Sequence, residues 1–227
     1  MSFKMTDKPS NAIEILSMDM NIEKDRLTEI SQWMDHSIDV QSIGINPWPE
    51  SFAYVPDVRF RMAYNDRGLL LKYHVHESHI RAMEILDNAP VYQDSCVEFF
   101  MKKPGSEHYY NFEFNCIGTC LMQVGKSREQ RVFAPNETIG KISRFPSLGH
   151  HVIEEQSGDF RWELFIFIPL EVLYLDQFTT LKGKSLNANF YKCGDRLAKP
   201  HYLCWNPIET RTPDFHRPEF FGTLIFK

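Results

Sequence analysis

Apolar and polar residues alternate with a period of two in one short run after another along this chain. Val58, Phe60, Met62 and Tyr64 alternate with Arg59, Arg61 and Ala63. After the turn residues Asn65-Asp66-Arg67-Gly68, the next run puts Leu69, Leu71, Tyr73 and Val75 on one face and Lys72, His74 and His76 on the other. Successive side chains of a strand point to opposite faces, so such runs fit half-buried strands, and two of them joined by a Gly-containing loop predict a β-hairpin. The pattern returns in Val97, Phe99 and Met101 against Cys96, Glu98 and Phe100, and in Tyr110, Phe112 and Phe114 against Asn111, Glu113 and Asn115. It returns again in Trp162, Leu164, Ile166 and Ile168, and in Leu186, Ala188 and Phe190 against Asn187, Asn189 and Tyr191. A first short strand is expected over residues 11–17 and a last one over 223–226. Helical spacing is confined to Leu27, Ile30 and Met34, which predicts a short helix near residues 25–35, while Pro169 suits the first turn of another through Leu173. Many short strands with almost no helix predict an all-β fold, an antiparallel β-sandwich with one or two short helices.

The chain has 227 residues and no Pro/Ser-rich linker or internal repeat. One domain over 1–227, with residues 1–10 as a loose tail, is therefore expected, because all-β domains often reach this length and bury enough surface to fold without disulfides or metals. The formal net charge is -5, and no block of Lys and Arg follows a predicted element. Nucleic acid is accordingly not an expected partner. No stretch approaches the ~20 apolar residues of a membrane span, so no membrane is expected either. The five cysteines (Cys96, Cys116, Cys120, Cys193 and Cys204) are odd in number and form no CxxC pair. They read as reduced, mostly buried thiols, which with the absence of a visible signal peptide points to a cytoplasmic protein.

The polar strand faces carry the candidate chemistry. Asparagine is depleted in strands because its side chain competes for backbone hydrogen bonds, so the repeated Asn of Asn111-Glu113-Asn115 and Asn187-Asn189-Tyr191 needs a reason. One reason is contact with sugar hydroxyls, which donate and accept as amides do; the other is internal hydrogen bonding to loops that cover the sheet. Trp205 and Trp48 sit beside prolines and asparagines, in His201-Tyr-Leu-Cys-Trp-Asn-Pro-Ile208 and Ile45-Asn-Pro-Trp-Pro-Glu50, where an indole plane could stack on a pyranose or plug the core. Trp162 alternates with Leu164 and reads as core. Arg128 and Arg131 could donate paired hydrogen bonds to vicinal hydroxyls. Catalytic signals are weaker. Glu98 and Glu113 could form a glycosidase pair, but nothing in the sequence fixes their separation. There is no GxSxG, P-loop or dinucleotide-binding glycine pattern. A calcium site could draw on Asp94 and Glu98, although no EF-hand-type loop is present.

Several stretches together resemble carbohydrate-binding module family 9. They are Asp94-Ser-Cys-Val-Glu-Phe-Phe100, Tyr109-Tyr-Asn-Phe-Glu-Phe-Asn115, Gly118, Trp162 with Ile168-Pro169, Asn189-Phe-Tyr-Lys-Cys-Gly-Asp195, Trp205-Asn-Pro, and Pro213-Asp-Phe-His-Arg-Pro-Glu-Phe-Phe-Gly222. The end of the chain looks like the stand-alone bacterial branch, and the likeness runs from about residue 40 onward. It implies an immunoglobulin-like or jelly-roll β-sandwich related to the DOMON group, and non-catalytic binding of mono-, oligo- or polysaccharide of glucan or xylan type, at chain ends in many members. It requires no cofactor and admits structural calcium. The resemblance assigns Trp205 to one wall of a sugar clamp and Trp48 to the other, with Arg128, Arg131 and Asn189 beside them. Asn115, Glu113 and Tyr191 on the polar faces complete the expected site. Two alternatives follow from the same residues: a glycoside hydrolase using paired carboxylates, and a DOMON-type haem domain with Met62, Met101 or Met122 and a histidine as ligands.

Overall fold

The computed structural model describes residues 11–20, 22 and 26–227; the tail expected over residues 1–10 lies outside them. The strands are β1 (Ala12–Ser17), β2 (Gln41–Ser42), β3 (Asp57–Tyr64), β4 (Gly68–Ala82), β5 (Cys96–Lys102), β6 (Tyr109–Asn115), β7 (Cys120–Gly125), β8 (Arg131–Phe133), β9 (Ser143–Pro146), β10 (Ile153–Pro169), β11 (Ser185–Cys193), β12 (Tyr202–Cys204) and β13 (Gly222–Phe226). Helices α1 (Leu27–Ser37) and α2 (Asn136–Ile139) are short, and Pro169 introduces a 3-10 turn over Leu170–Val172. One sheet runs β8-β7-β6-β5-β11-β13-β1 and the other β1-β3-β4-β10-β9. Strand β1 joins them: Ala12 to Ile15 pair with β13, then Leu16 and Ser17 pair with β3. Both of these pairings are parallel, and every other strand pair is antiparallel.

The period-two runs become the two inner faces. Val97, Phe99, Met101, Phe112, Phe114, Ala188 and Phe190 of the first sheet meet Phe60, Met62, Leu71, Tyr73, Trp162, Leu164 and Ile166 of the second in one buried cluster. Phe60 and Phe190 stack across the gap with ring centroids 3.8 Å apart. Each large side chain buried this way contributes roughly 1.5–3 kcal/mol relative to exposure. Met62, Met101 and Met122 all lie within this cluster, packed among hydrocarbon neighbours. Trp162 is core as expected, and its indole donates to Glu77 Oε1 at 2.7 Å.

The outer faces are finished differently. On the second sheet, Ala63, Leu70, Phe165 and Phe167 are covered by Ile30 and Met34 of α1. On the first sheet the cover is a loop, and that choice creates the site described next. All five cysteines are free and buried. Among the described residues no helix is long and apolar enough to cross a membrane.

Candidate functional site

The face of β5, β6 and β11 turned away from the core carries Cys96, Glu98 and Phe100, then Asn111, Glu113 and Asn115, then Asn189, Tyr191 and Cys193. All of them are buried. An outward strand face normally meets water; here the segment from Trp205 to Phe221 folds across it. The Phe215 ring lies flat on Tyr191, with centroids 4.2 Å apart and planes at 7°, and the Tyr191 hydroxyl donates to the Phe215 carbonyl at 3.1 Å. Phe221 meets Tyr109 edge-on.

Between this cover and the 3-10 turn Arg128–Gln130 a cleft of about 240 Å³ remains. Glu98, Glu113 and Gln123 form its floor, Arg128 and Arg131 one side, Asp214, Phe215 and His216 the other, and Tyr92, Asp195 and Tyr202 close the end. Arg131 Nε donates to the Arg128 carbonyl at 2.9 Å, which aligns the two arginines along the rim. Arg128 also approaches Asp214 across the mouth at 3.8 Å; this exposed ion pair stabilises little.

The electrostatics of the floor are unusual. Glu98 and Glu113 are direct register partners on β5 and β6, each only 3% exposed. Glu98 Oε1 accepts from Cys193 Sγ at 3.0 Å, and Glu113 Oε1 accepts from Asn111 Nδ2 at 2.9 Å. Glu113 Oε2 and Asn111 Oδ1 are buried without any partner. Burial first, and then the charge of Glu113, push the Glu98 carboxyl well above the usual carboxylate range. Burial likewise pushes Glu113 up to about 7, against the opposing pull of Arg131 and the Asn111 hydrogen bond. Burial also raises Asp195 and, with Arg131 and Arg128 nearby, lowers His216 to about 2, so its ring is neutral, with Nδ1 3.0 Å from the Tyr109 hydroxyl. The cleft thus offers two cations, an unpartnered acceptor and aromatic faces in one small space, an arrangement suited to a neutral polyhydroxyl ligand.

The structure brings Arg128, Arg131 and Glu113 together in the cleft, as the sequence suggested, and places the remaining expected residues behind it. Asn115 donates to the Glu84 carbonyl and to Asp94, and accepts from the Thr119 amide. Asn189 clamps both the amide and the carbonyl of Asn206. These two asparagines do the internal work of anchoring covering loops. Tyr191 supports Phe215. Trp48, 6% exposed, donates its indole N–H to the Thr210 carbonyl at 2.8 Å and packs behind Tyr202 and Phe215. Trp205, 4% exposed, stands edge-on to Phe60 and Phe190 in the main core. A Cβ at position 222 would fall 2.5 Å from the Trp205 ring, so glycine there is what lets the indole lie flat against the backbone. Trp205 lines a separate depression beside Asn11, Gln41 and Ile45, which shares no lining residue with the cleft. The aromatic walls of the cleft are Tyr92, Tyr202 and Phe215, not the two indoles.

The sequence reasoning gave no role to Tyr92, Gln123, Asp195, Tyr202, Asp214 or His216. Asp195, Asp214 and His216 lie inside stretches that carried the family resemblance, and that was the available signal. As for calcium, both carboxylate oxygens of Asp94 are occupied by protein donors, namely Arg81, the amides of Met83 and Glu84, and Asn115. Asp94 therefore does not fit the role of an oxygen ligand.

A family model described as carbohydrate-binding family 9 matches residues 29–226. A candidate carbohydrate-binding protein from Bacteroides uniformis is similar at 38% identity and a TM-score of 0.90, over 96% of this chain and 100% of that one. Two structures of a family 9 module from Caldicellulosiruptor kristjanssonii share the fold. Its complex with glucose matches at 11% identity and a TM-score of 0.60, over 96% of each chain. Its complex with cellotriose matches at 10% and 0.58, over 96% of this chain and 94% of that one. No curated protein matches the chain.

Proposed function

The chain belongs to carbohydrate-binding family 9, and on that footing we propose that the cleft above β5 and β6 binds the end of a glucan- or xylan-type saccharide without acting on it chemically. The observation that carries this reading is the buried, unpartnered acceptor Glu113 Oε2 in a cleft floor flanked by two guanidinium groups. A buried acceptor left unserved costs roughly 1–3 kcal/mol, which a donating ligand hydroxyl would recover. Arg128 and Arg131 would donate to hydroxyls at the rim, Gln123, Asp195 and His216 would fix the ring's orientation, and Tyr202 and Phe215 would take its C–H face. A cavity of about 240 Å³ suits one or two rings rather than a long stretch of polymer; drug-sized ligands occupy ~300–1,000 Å³.

Titration calorimetry against glucose, cellobiose and xylobiose tests the proposal. We expect one site per chain, with affinity reduced about tenfold to a hundredfold in Arg131→Ala, as loss of a hydrogen bond to a charged group implies. Absence of heat with every saccharide, or an unchanged affinity in Arg131→Ala, would remove it.

A further inference from the structure

The floor of the cleft holds a second set of groups that saccharide recognition leaves unused. Cys193 of β11 is the direct register partner of Cys96 on β5, and Glu98 lies two residues along from Cys96 on the same face. The two sulfurs and a Glu98 carboxylate oxygen lie within 4.8 Å of one another, and all three residues are buried. Among the described residues no other trio of His, Cys, Asp or Glu converges in this way. Cys193 and Glu98 line the cleft, with Cys96 behind them. Glu113, the register partner of Glu98, lines the same cleft with its Oε2 unpartnered.

We propose that Cys96, Cys193 and Glu98 form a binding site for one thiophilic divalent cation, zinc by its chemistry, with a remaining coordination position open to the cleft. Zinc binds thiolate sulfur at about 2.3 Å and carboxylate oxygen at about 2.0–2.2 Å, which puts tetrahedral donors roughly 3.5–3.8 Å apart. The 3.0 Å separation of Cys193 Sγ from Glu98 Oε1 and the 4.8 Å limit for the trio bracket that spacing. Three protein ligands and one open position are the pattern of zinc sites that admit water or another ligand, whereas structural zinc is closed by four. Two sulfurs exclude calcium and magnesium, which take oxygen ligands. On binding, the two S–H bonds break, two metal–sulfur bonds and one metal–oxygen bond form, the two thiol protons and the proton of the Glu98 carboxyl pass to solvent, and nothing is oxidised or reduced.

The test uses the full chain, reduced with a phosphine, stripped with a chelator and titrated anaerobically with Co²⁺ in the absence of saccharide. The expected result is saturation at one equivalent, with sulfur-to-cobalt charge-transfer absorption and visible bands of tetrahedral intensity. Zn²⁺ should displace the cobalt and Ca²⁺ should not. Cys193→Ser should abolish the charge-transfer band, Cys204→Ser should retain it, and Glu98→Gln should weaken affinity at least tenfold. If Cys193→Ser does not fold, the wild-type spectrum and Glu98→Gln, which keeps both thiols, decide the matter. No sulfur-to-cobalt band at saturating metal, a full band in folded Cys193→Ser, or displacement by Ca²⁺ would overturn the proposal. So would quantitative Cys96–Cys193 disulfide in the protein as isolated together with no cobalt uptake once reduced. Because no sugar is present, failure here leaves the saccharide proposal standing, and failure of saccharide binding leaves this one.

Discussion

Lys192 and Cys193 are neighbours on β11 and serve two buried polar clusters of opposite kind. Lys192 points between the sheets, fully buried, with its ammonium 2.9 Å from Glu77 Oε2 and within reach of the Cys193 carbonyl and His201 Nε2. The Glu77 contact is close enough for an ion pair though off-axis for a hydrogen bond, and Trp162 serves the other Glu77 oxygen. Here opposite charges meet, so Glu77 Oε2, which accepts no hydrogen bond, still has a counter-charge at hand. Cys193 points the other way, to a floor where two carboxyls, both pushed up by burial, pair in register and Glu113 Oε2 goes unserved. The inner cluster has its counter-charge within the protein; on the proposed reading, the outer one takes its missing partner from a ligand. Buried polarity by itself marks neither function nor structure, and what separates these two clusters is whether a counter-charge stands beside the buried carboxyl.

The sharpest way to break this contrast is to damage the inner cluster. Glu77→Gln leaves the Lys192 ammonium buried without its counter-charge, and loss of one partner from a buried pair costs about 3–5 kcal/mol. Chemical denaturation should show a loss of that size, with saccharide affinity unchanged in the protein that remains folded. Trp205→Ala should cost a similar ~3–5 kcal/mol as a core cavity, while the milder Trp205→Phe should keep saccharide affinity within about twofold by calorimetry, since the indole faces Phe60 and Phe190. Glu113→Gln should do the reverse of Glu77→Gln. Removing one of two like-charged buried carboxyls should leave stability equal or higher, while binding weakens by about 1.5–3 kcal/mol, the worth of a hydrogen bond to a charged acceptor.

The smallest effect concerns pH. Burial, and next the Lys192 charge, lower His201 to about 2, so the folded protein keeps its ring neutral. The unfolded chain takes up that proton near pH 6.5. Stability from this residue is therefore present above about pH 6.5 and falls as the pH drops below it, by about 1 kcal/mol per pH unit. Because His216, also lowered to about 2, adds in the same direction and the raised carboxyls of Glu98 and Glu113 oppose it, the effect is read as a difference: in melts between pH 7.5 and 5 the wild type should lose about this much more stability per pH unit than His201→Gln.

The sequence made the inner faces legible because each core strand has one wet or polar side and one apolar side. It made less of β10, whose first half (Glu154, Glu155, Gln156, Asp159) is exposed on both sides and carries no alternation. Nor did it show β1 passing from one sheet to the other, because that step depends on pairing and not on pattern. In the candidate site, the polar faces were visible, and Glu113, Arg128 and Arg131, expected from the sequence, line one cleft. The tryptophans misled because flanking prolines and asparagines report a loop without reporting whether the loop lies open or folds inward. Asn115 and Asn189 fell to the quieter of two readings, since an amide that can hold a sugar can equally hold a loop. Tyr202, Asp214 and His216 reach the cleft through the path of an irregular cover, which has no period to read.

The central claim, that ligand enters between the Trp205–Phe221 cover and the β5–β6 floor, is tested most directly by nuclear magnetic resonance of the labelled protein during titration with cellobiose. The account predicts shifts concentrated at Glu98, Glu113, Gln123, Arg128, Arg131, Tyr202 and His216, with the Trp205 indole and the Asn11–Gln41 depression unmoved. Shifts centred on the Trp205 indole, Gln41 and Ile45, with Glu113 and Arg131 unperturbed, would contradict it.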